Sequence, residues 1–190
     1  FNARQIMRLN PDNGTLSSVG DDLVGYGLKY SGTVVGNDDC VYGIPYHAKR
    51  IVKFDTTNPD TTSTVREEAE EGFCCGNGVL AGDGDIYAEN GAGQVLKVDT
   101  TSNNYTWIGD RIYSGDRFGW GDPIVGADMC IYWLPSFANH VLKFDPETKQ
   151  LPSLVGNDLG EEGYKLQGGA LASDGAIYCI PSCSSRALAI

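Results

Sequence analysis

The chain has 190 residues and a formal net charge of −11, a balance that excludes a basic nucleic-acid platform. Hydrophobic residues make up 41% and charged residues 21%, with 10 tyrosines and 3 tryptophans, enough apolar surface for a packed core and too little charge for a disordered acidic tail. The 25 glycines favour turn-rich β structure over helices, and no apolar run reaches the roughly 18 residues of a membrane-spanning helix.

In chain order, Ile6-Met-Arg-Leu-Asn10 reads as a strand and Thr15 to Val19 as a weaker one. Gly32 to Gly36 is a small apolar strand, followed by the polar turn Asn37-Asp-Asp39 and by Cys40-Val-Tyr-Gly-Ile-Pro45. Ile51-Val-Lys-Phe-Asp55 and Thr61 to Val65 complete a group of four, and Arg66 to Glu71 is a helix candidate too short to shape the fold. The group then returns as Gly78 to Gly82, Asp85-Ile-Tyr-Ala-Glu-Asn90, Val95-Leu-Lys-Val-Asp99 and Tyr105 to Ile108. It returns again as Pro123 to Gly126, Cys130-Ile-Tyr-Trp-Leu-Pro135, Val141-Leu-Lys-Phe-Asp145 and Leu151 to Val155. Gly168 to Ala172, Ala176-Ile-Tyr-Cys-Ile-Pro181 and Ala187-Leu-Ala-Ile190 begin it once more. The central tyrosines, Tyr42, Tyr87, Tyr132 and Tyr178, are 45, 45 and 46 residues apart. Asp55, Asp99 and Asp145 each close a third strand, where an Asp is expected to accept backbone N–H bonds and start the next turn.

Four short strands in about 45 residues, repeated, predict an all-β chain of four-stranded antiparallel blades, a β-propeller or propeller-like array. Small residues in the first strand of each unit suit strands that converge on an axis. Residues 1–190 then form a single repeat domain: partial units at 1–29 and 166–190, and whole units at 30–74, 75–119 and 120–165. Phe1 aligns with Tyr46, inside a unit, and Arg186 to Ile190 is a further copy of the third strand, so the expectation is a piece of a longer array or of a ring with more blades.

Six cysteines, Cys40, Cys74, Cys75, Cys130, Cys179 and Cys183, are disulfide candidates, although six allow fifteen pairings. Zinc is disfavoured, because no Cys-x-x-Cys pair exists and His47 and His140 hold non-equivalent loop positions. Asn13-Gly-Thr15 and Asn104-Tyr-Thr106 are glycosylation sequons in the turn between third and fourth strands, on the outer rim. Secretion accounts for cysteines and sequons together, which predicts an extracellular location.

No nucleophile elbow, phosphate loop or dinucleotide fingerprint is present, so no catalytic residue is assigned. His47, beside Lys49 and Arg50, reads as a solvated loop histidine, and Cys183 lacks a repeat-equivalent base. Acidic residues recur before each first strand: Asp21 and Asp22, Glu67 to Glu71, Asp110 and Asp116, then Asp158, Glu161 and Glu162. Calcium is the one ion such carboxylates suggest, but no calcium loop is spelled; a solvated acidic rim is the simpler reading, and no cofactor is assigned. Leu28, Phe73, Phe118 and Tyr164, and Tyr30, Cys75, Trp120 and Leu166, share two repeat positions, where packing between blades is favoured over stacking on sugars.

The phrase from Val155-Gly-Asn-Asp-Leu-Gly160 through Gly163-Tyr-Lys-Leu-Gln-Gly-Gly169 to Ile177-Tyr-Cys-Ile-Pro181, with the Val141-Leu-Lys-Phe-Asp-Pro146 type of strand, resembles the kelch-like tandem repeats of large proteins of microalgae and related protists. The resemblance implies propeller blades and no settled activity; Glu89-Asn90 departs from its Ile-Pro pattern. The function expected is a secreted, non-enzymatic module, a scaffold, adhesion or filament-forming protein whose partners are further copies of itself or other extracellular proteins and glycans. The alternatives are a propeller enzyme, such as a metal-assisted lactonase or glycan hydrolase using acidic residues at one rim, and a kelch-type protein-binding adaptor.

Overall fold

In a computed structural model, the structure describes residues 4–23, 28–58, 61–65, 73–115, 118–183 and 188–190. Strands β1 (Ile6–Leu9) and β2 (Leu16–Val19) form a two-stranded sheet. Three four-stranded antiparallel sheets follow, each in chain order. The first holds β3 (Tyr30–Val35), β4 (Cys40–Pro45), β5 (Ile51–Asp55) and β6 (Thr62–Val65), and the second β7 (Gly78–Leu80), β8 (Ile86–Glu89), β9 (Val95–Asp99) and β10 (Asn104–Ile108). The third holds β11 (Trp120–Val125), β12 (Ile131–Pro135), β13 (Val141–Phe144) and β14 (Ser153–Val155). β15 (Leu166–Leu171), β16 (Ile177–Pro181) and β17 (Leu188–Ala189) make a three-stranded last sheet. There is no helix among the described residues, and Arg66 to Glu71 lies outside them.

One aspartate organises each inner hairpin. Asp38, Asp83, Asp128 and Asp174 accept the backbone N–H two residues on, at 3.0–3.2 Å, and the hydroxyl of the repeated tyrosine, at 2.7–2.9 Å. The last turn residue takes a left-handed conformation at Asp39, Gly84, Met129 and Gly175, which glycine adopts freely and methionine does not. On the neighbouring strand Lys53, Lys97 and Lys143 stand in register with Tyr42, Tyr87 and Tyr132. Lys53 and Lys143 pair with Asp38 and Asp128 at 2.6 and 2.9 Å, while Lys97 reaches Asp85 at 2.6 Å. Burial raises the Asp38 pKa, but the bonds from Lys53 and Tyr42 outweigh it and hold the carboxyl down at about 2. Asp55, Asp99 and Asp145 accept N–H bonds from Thr57, Thr101 and Glu147 at 2.8–2.9 Å, as expected at the close of the third strand.

The core lies between sheets, so each blade is stable only against its neighbour. Tyr42, Ile44 and Ile51 pack against Ile86, Ala88, Leu96 and Val98 of the next sheet. Tyr87 and Val95 pack in turn against Ile131, Trp133, Leu142 and Phe144, and Leu134 against Ile177 and Cys179. The small first strands fit the convergence expected of them. A Cβ on Gly169 would stand 2.8 Å from the Tyr178 carbonyl and 3.1 Å from Leu134 of the preceding sheet.

The disulfide candidates are unpaired in this structure, all six as free thiols: Cys40, Cys75, Cys130 and Cys179 are buried, and Cys74 and Cys183 are exposed. The physical reason is placement. Cys40 and Cys130 hold one repeat position in two different sheets, Cys75 and Cys179 fill other places in the core, and burial pushes the Cys75 and Cys179 thiols upward, away from the reactive thiolate.

Candidate active site

A bulge on the innermost strand recurs in three sheets. The register slips by one residue between Tyr30 and Gly32, between Trp120 and Pro123, and between Leu166 and Gly169. Bulges re-aim side chains, and these face a cleft of about 390 Å³ where four sheets meet. Ser31 comes from the first sheet, Asn77 precedes β7, Asp122 lies on β11, and Ser182 follows β16. The Ser31 hydroxyl lies 2.8 Å from the Gly76 carbonyl, and the Asn77 amide donates to the Asp122 carboxylate at 2.6 Å, so polar groups of neighbouring sheets hold one another across the rim.

A belt of backbone hydrogen bonds fixes the mouth. Tyr46 N–H donates to Lys29 C=O and Cys74 N–H to Tyr46 C=O. Gly119 N–H donates to Gly91 C=O, Ser136 N–H to Gly119 C=O, Lys165 N–H to Ser136 C=O and Ser182 N–H to Lys165 C=O. Tyr46 stacks on Phe118, with centroids 5.3 Å apart and planes 27° apart. Gly91, at φ +76°, leaves room for that ring, since a Cβ there would stand 2.5 Å from it. Tyr164 and Trp120 extend the aromatic wall. The Trp120 indole N–H is already donated to the His140 carbonyl at 2.8 Å.

Two residues before Gly91 stands Glu89, which replaces the Ile44, Leu134 and Ile180 of the other units and is buried. Burial pushes its carboxyl up to about 7, although it accepts N–H bonds from Gly93 and Gly91 and Arg111 is near. Its Oε1 accepts the Gly93 N–H at 2.6 Å, and Asn90 Oδ1 accepts those of Ala92 and Gln94. Glu89 and Asn90 thus hold the loop that supports Phe118, by bonding it from within rather than by Ile-Pro packing.

The other expected site residues scatter. Asn13 is exposed in the turn between β1 and β2, and Asn104, expected in a turn, is exposed as the first residue of β10. His47 lies against Tyr46, with centroids 4.3 Å apart. Of the acidic clusters, Asp21 accepts from Thr62, Asp22 pairs with Arg4, and Glu161 accepts from Asn139. Asp158 accepts the Gly160 N–H, and Glu67 to Glu71 and Asp116 lie outside the described residues. Among the described residues no three His, Cys, Asp or Glu side chains converge as a metal group would require. Phe73 packs against Tyr105, as expected of a gap-filling aromatic, whereas Phe118, Trp120 and Tyr164 line the cleft. Motif search passes over Ser31, Tyr46, Asn77, Asp122, Ser136 and Ser182. A signal for two of them was present: Asn77 and Asp122 stand where Gly32 and Gly168 stand in the other units.

No protein-family model and no curated protein matches the sequence. Solved structures do match in fold. Virginiamycin B lyase from Staphylococcus aureus, in a catalytically inactive form with quinupristin, aligns at TM-score 0.69 and 12% identity over 99% of this chain and 63% of its own. A streptogramin B lyase aligns at 0.71 and 15%, over 96% and 57%. A provisionally named 6-phosphogluconolactonase from Bacteroides uniformis aligns at 0.64 and 16%, over 97% and 59%. The architecture is that of a β-propeller. The chain spans about three fifths of the length of these proteins.

Their names correct one expectation, that of a module without enzymatic activity. Propellers of this similarity include a lyase and a protein named as a lactonase. The lack of a catalytic motif carried that expectation, and in this fold it is weak ground. A site on the axis draws single residues from units some 45 positions apart, so no contiguous motif need exist.

Proposed function

We propose that the chain forms the substrate-bearing part of a propeller enzyme that acts in the axial cleft on a polar, ring-bearing molecule of the lactone or glycan class. The observation that carries this reading is the Asn77–Asp122 pair facing a cleft walled by Tyr46, Phe118, Trp120 and Tyr164. The aromatic faces suit the apolar side of a ring, and the serines suit its hydroxyls. Asp122 is the general acid–base group, with Asn77 as the residue that positions it. The fold shared with a lyase and a protein named as a lactonase supports the choice of class.

The test is a turnover screen of gluconolactone-type lactones and nitrophenyl glycosides, with Asp122→Asn beside the parent. Turnover in the parent, lowered by about 10²–10⁴-fold in the variant with unchanged circular dichroism, is the expected result. Turnover indifferent to Asp122→Asn, or none on either panel, overturns the reading. Extracellular residence is part of the same proposal, supported by the exposed sequons. Mass spectrometry of native material is expected to find glycans on Asn13 or Asn104, and bare asparagines at both would remove that part.

A further inference from the structure

Glu89 ends β8 in the second of the three whole blades, which has a sheet packed on either side. Its main chain serves one half of the cleft. The Glu89 carbonyl accepts the Gly76 N–H at 2.9 Å, and the Gly76 carbonyl accepts the Ser31 hydroxyl of the first sheet at 2.8 Å. Gly76 is thereby held on both sides, and the next residue is Asn77, whose amide meets Asp122 of the third sheet.

Its side chain serves the other half. The carboxyl accepts N–H bonds from Gly93, at 2.6 Å, and from Gly91. The Gly91 carbonyl in turn accepts the Gly119 N–H at 2.8 Å, and Gly91 lies under the Phe118 ring that stacks on Tyr46. An isoleucine or leucine, as in the blades on either side, accepts no N–H bond at this place. One buried residue therefore joins the acid–base pair to the aromatic wall.

The surroundings of the carboxyl favour its proton. Glu89 is 1% exposed, and burial raises its pKa to about 7 against the opposing pull of the two N–H bonds and of Arg111. Arg111 lines a side cavity of about 150 Å³ with Cys74, Gly91 and Phe118. Cys75 lies close enough to feel the Glu89 charge, Tyr113 packs against Gly119, and His47 lies against Tyr46. In an opened loop the carboxyl meets water and regains its ordinary pKa of 4.5, so between about pH 4.5 and 7 each unit rise in pH favours opening about tenfold.

We infer that Glu89 is the positioning residue of the cleft, clamping Asn77 and Phe118 into one unit while protonated and loosening its hold on both as the proton is lost. The consequence for turnover rests on the reading of Asp122 as the acid–base group; the clamp itself does not.

Amide hydrogen exchange, corrected for the intrinsic pH dependence of the chemical step, tests the clamp without a substrate. Protection at Gly76, Gly91, Gly93 and Gly119 is expected to fall together by about tenfold per pH unit between about pH 5 and 7 and then to level off. Gly126 and Met129, whose N–H groups bond within the β11–β12 turn, are expected to show no such slope. Glu89→Gln keeps an acceptor oxygen and has no proton to lose, so it is expected to hold all four constant, while Arg111→Leu moves the levelling point upward. Glu89→Leu is expected to leave Gly91 and Gly93 poorly protected at every pH, and His47→Gln to keep the parent's slope. A slope that persists in Glu89→Gln, or vanishes in His47→Gln, overturns the proposal. So does a slope confined to Gly93 while Gly76 and Gly119 stay flat. The expected exchange pattern beside turnover indifferent to Asp122→Asn would uphold the clamp and remove only the catalytic reading.

Discussion

Tyr87 and Tyr178 occupy the same place in the repeat and donate the same hydrogen bond to a turn aspartate, at 2.7 and 2.8 Å. One is fully buried and the other is 48% exposed. The difference is the presence of a following sheet: Phe144 and Trp133 close over Tyr87, and no equivalent layer lies over Tyr178 among the described residues. Identical local chemistry therefore carries very different energies. A blade in this array is half a folding unit, and its neighbour supplies the other half.

The sharpest way to break the comparison is truncation of both tyrosines. Tyr87→Ala is expected to destabilise by about 3–5 kcal/mol through the cavity it leaves, and Tyr178→Ala by under about 1 kcal/mol in dilute protein, both read by urea unfolding. Equal losses would show that the interlayer is not what stabilises a blade.

Next in size is Glu89, a buried carboxyl where the whole blades on either side bury Ile44 and Leu134. Its pKa is raised from 4.5 to about 7, so the folded chain holds its proton more tightly than the unfolded chain does. The contribution is therefore fully present below about pH 4.5, declines as pH rises, and is gone above about pH 7, a change of about 3 kcal/mol. Glu89→Gln is expected to flatten that decline, as seen in unfolding midpoints between pH 5 and 8. A variant with the parent's slope would place the titration elsewhere.

Two smaller substitutions sharpen the contrast within the turns. Asp128→Asn weakens an aspartate that accepts from Tyr132 and pairs with Lys143, and about 1 kcal/mol is expected to be lost. Asp174→Asn, with no lysine opposite, is expected to lose less. Met129 holds the left-handed turn position at φ +62°, where two other units carry glycine. Met129→Gly is expected to stabilise by up to about 1 kcal/mol, and thermal unfolding that moves downward would contradict this account of the turn.

Much of the fold was legible in the residues because the signals are local. Gly, Asn and Asp mark the hairpins, strand residues alternate between them, and Tyr42, Tyr87, Tyr132 and Tyr178 set the period. The Glu89-Asn90 departure was visible too, though not that its carboxyl would be buried and bonded to Gly93. Of the cleft, Phe118, Trp120, Tyr164 and Leu166 stood out as repeat positions but were expected to pack between blades, while Asn77 and Asp122, polar residues at a glycine position, carried a signal that no motif marks. Ser31 and Tyr46 carry no such mark, because a serine or tyrosine in a β-rich chain is ordinary until a bulge or a stack places it.

The amino-acid order alone determined the unit, its four strands, its turn aspartates and the small residues that let inner strands converge, since each depends on neighbours a few positions away. Only the tertiary structure decided which side chains meet at the cleft, which thiols are buried, and which tyrosine is covered. Those outcomes depend on groups some 45 residues distant, and the distance between them is set by how one sheet leans on the next.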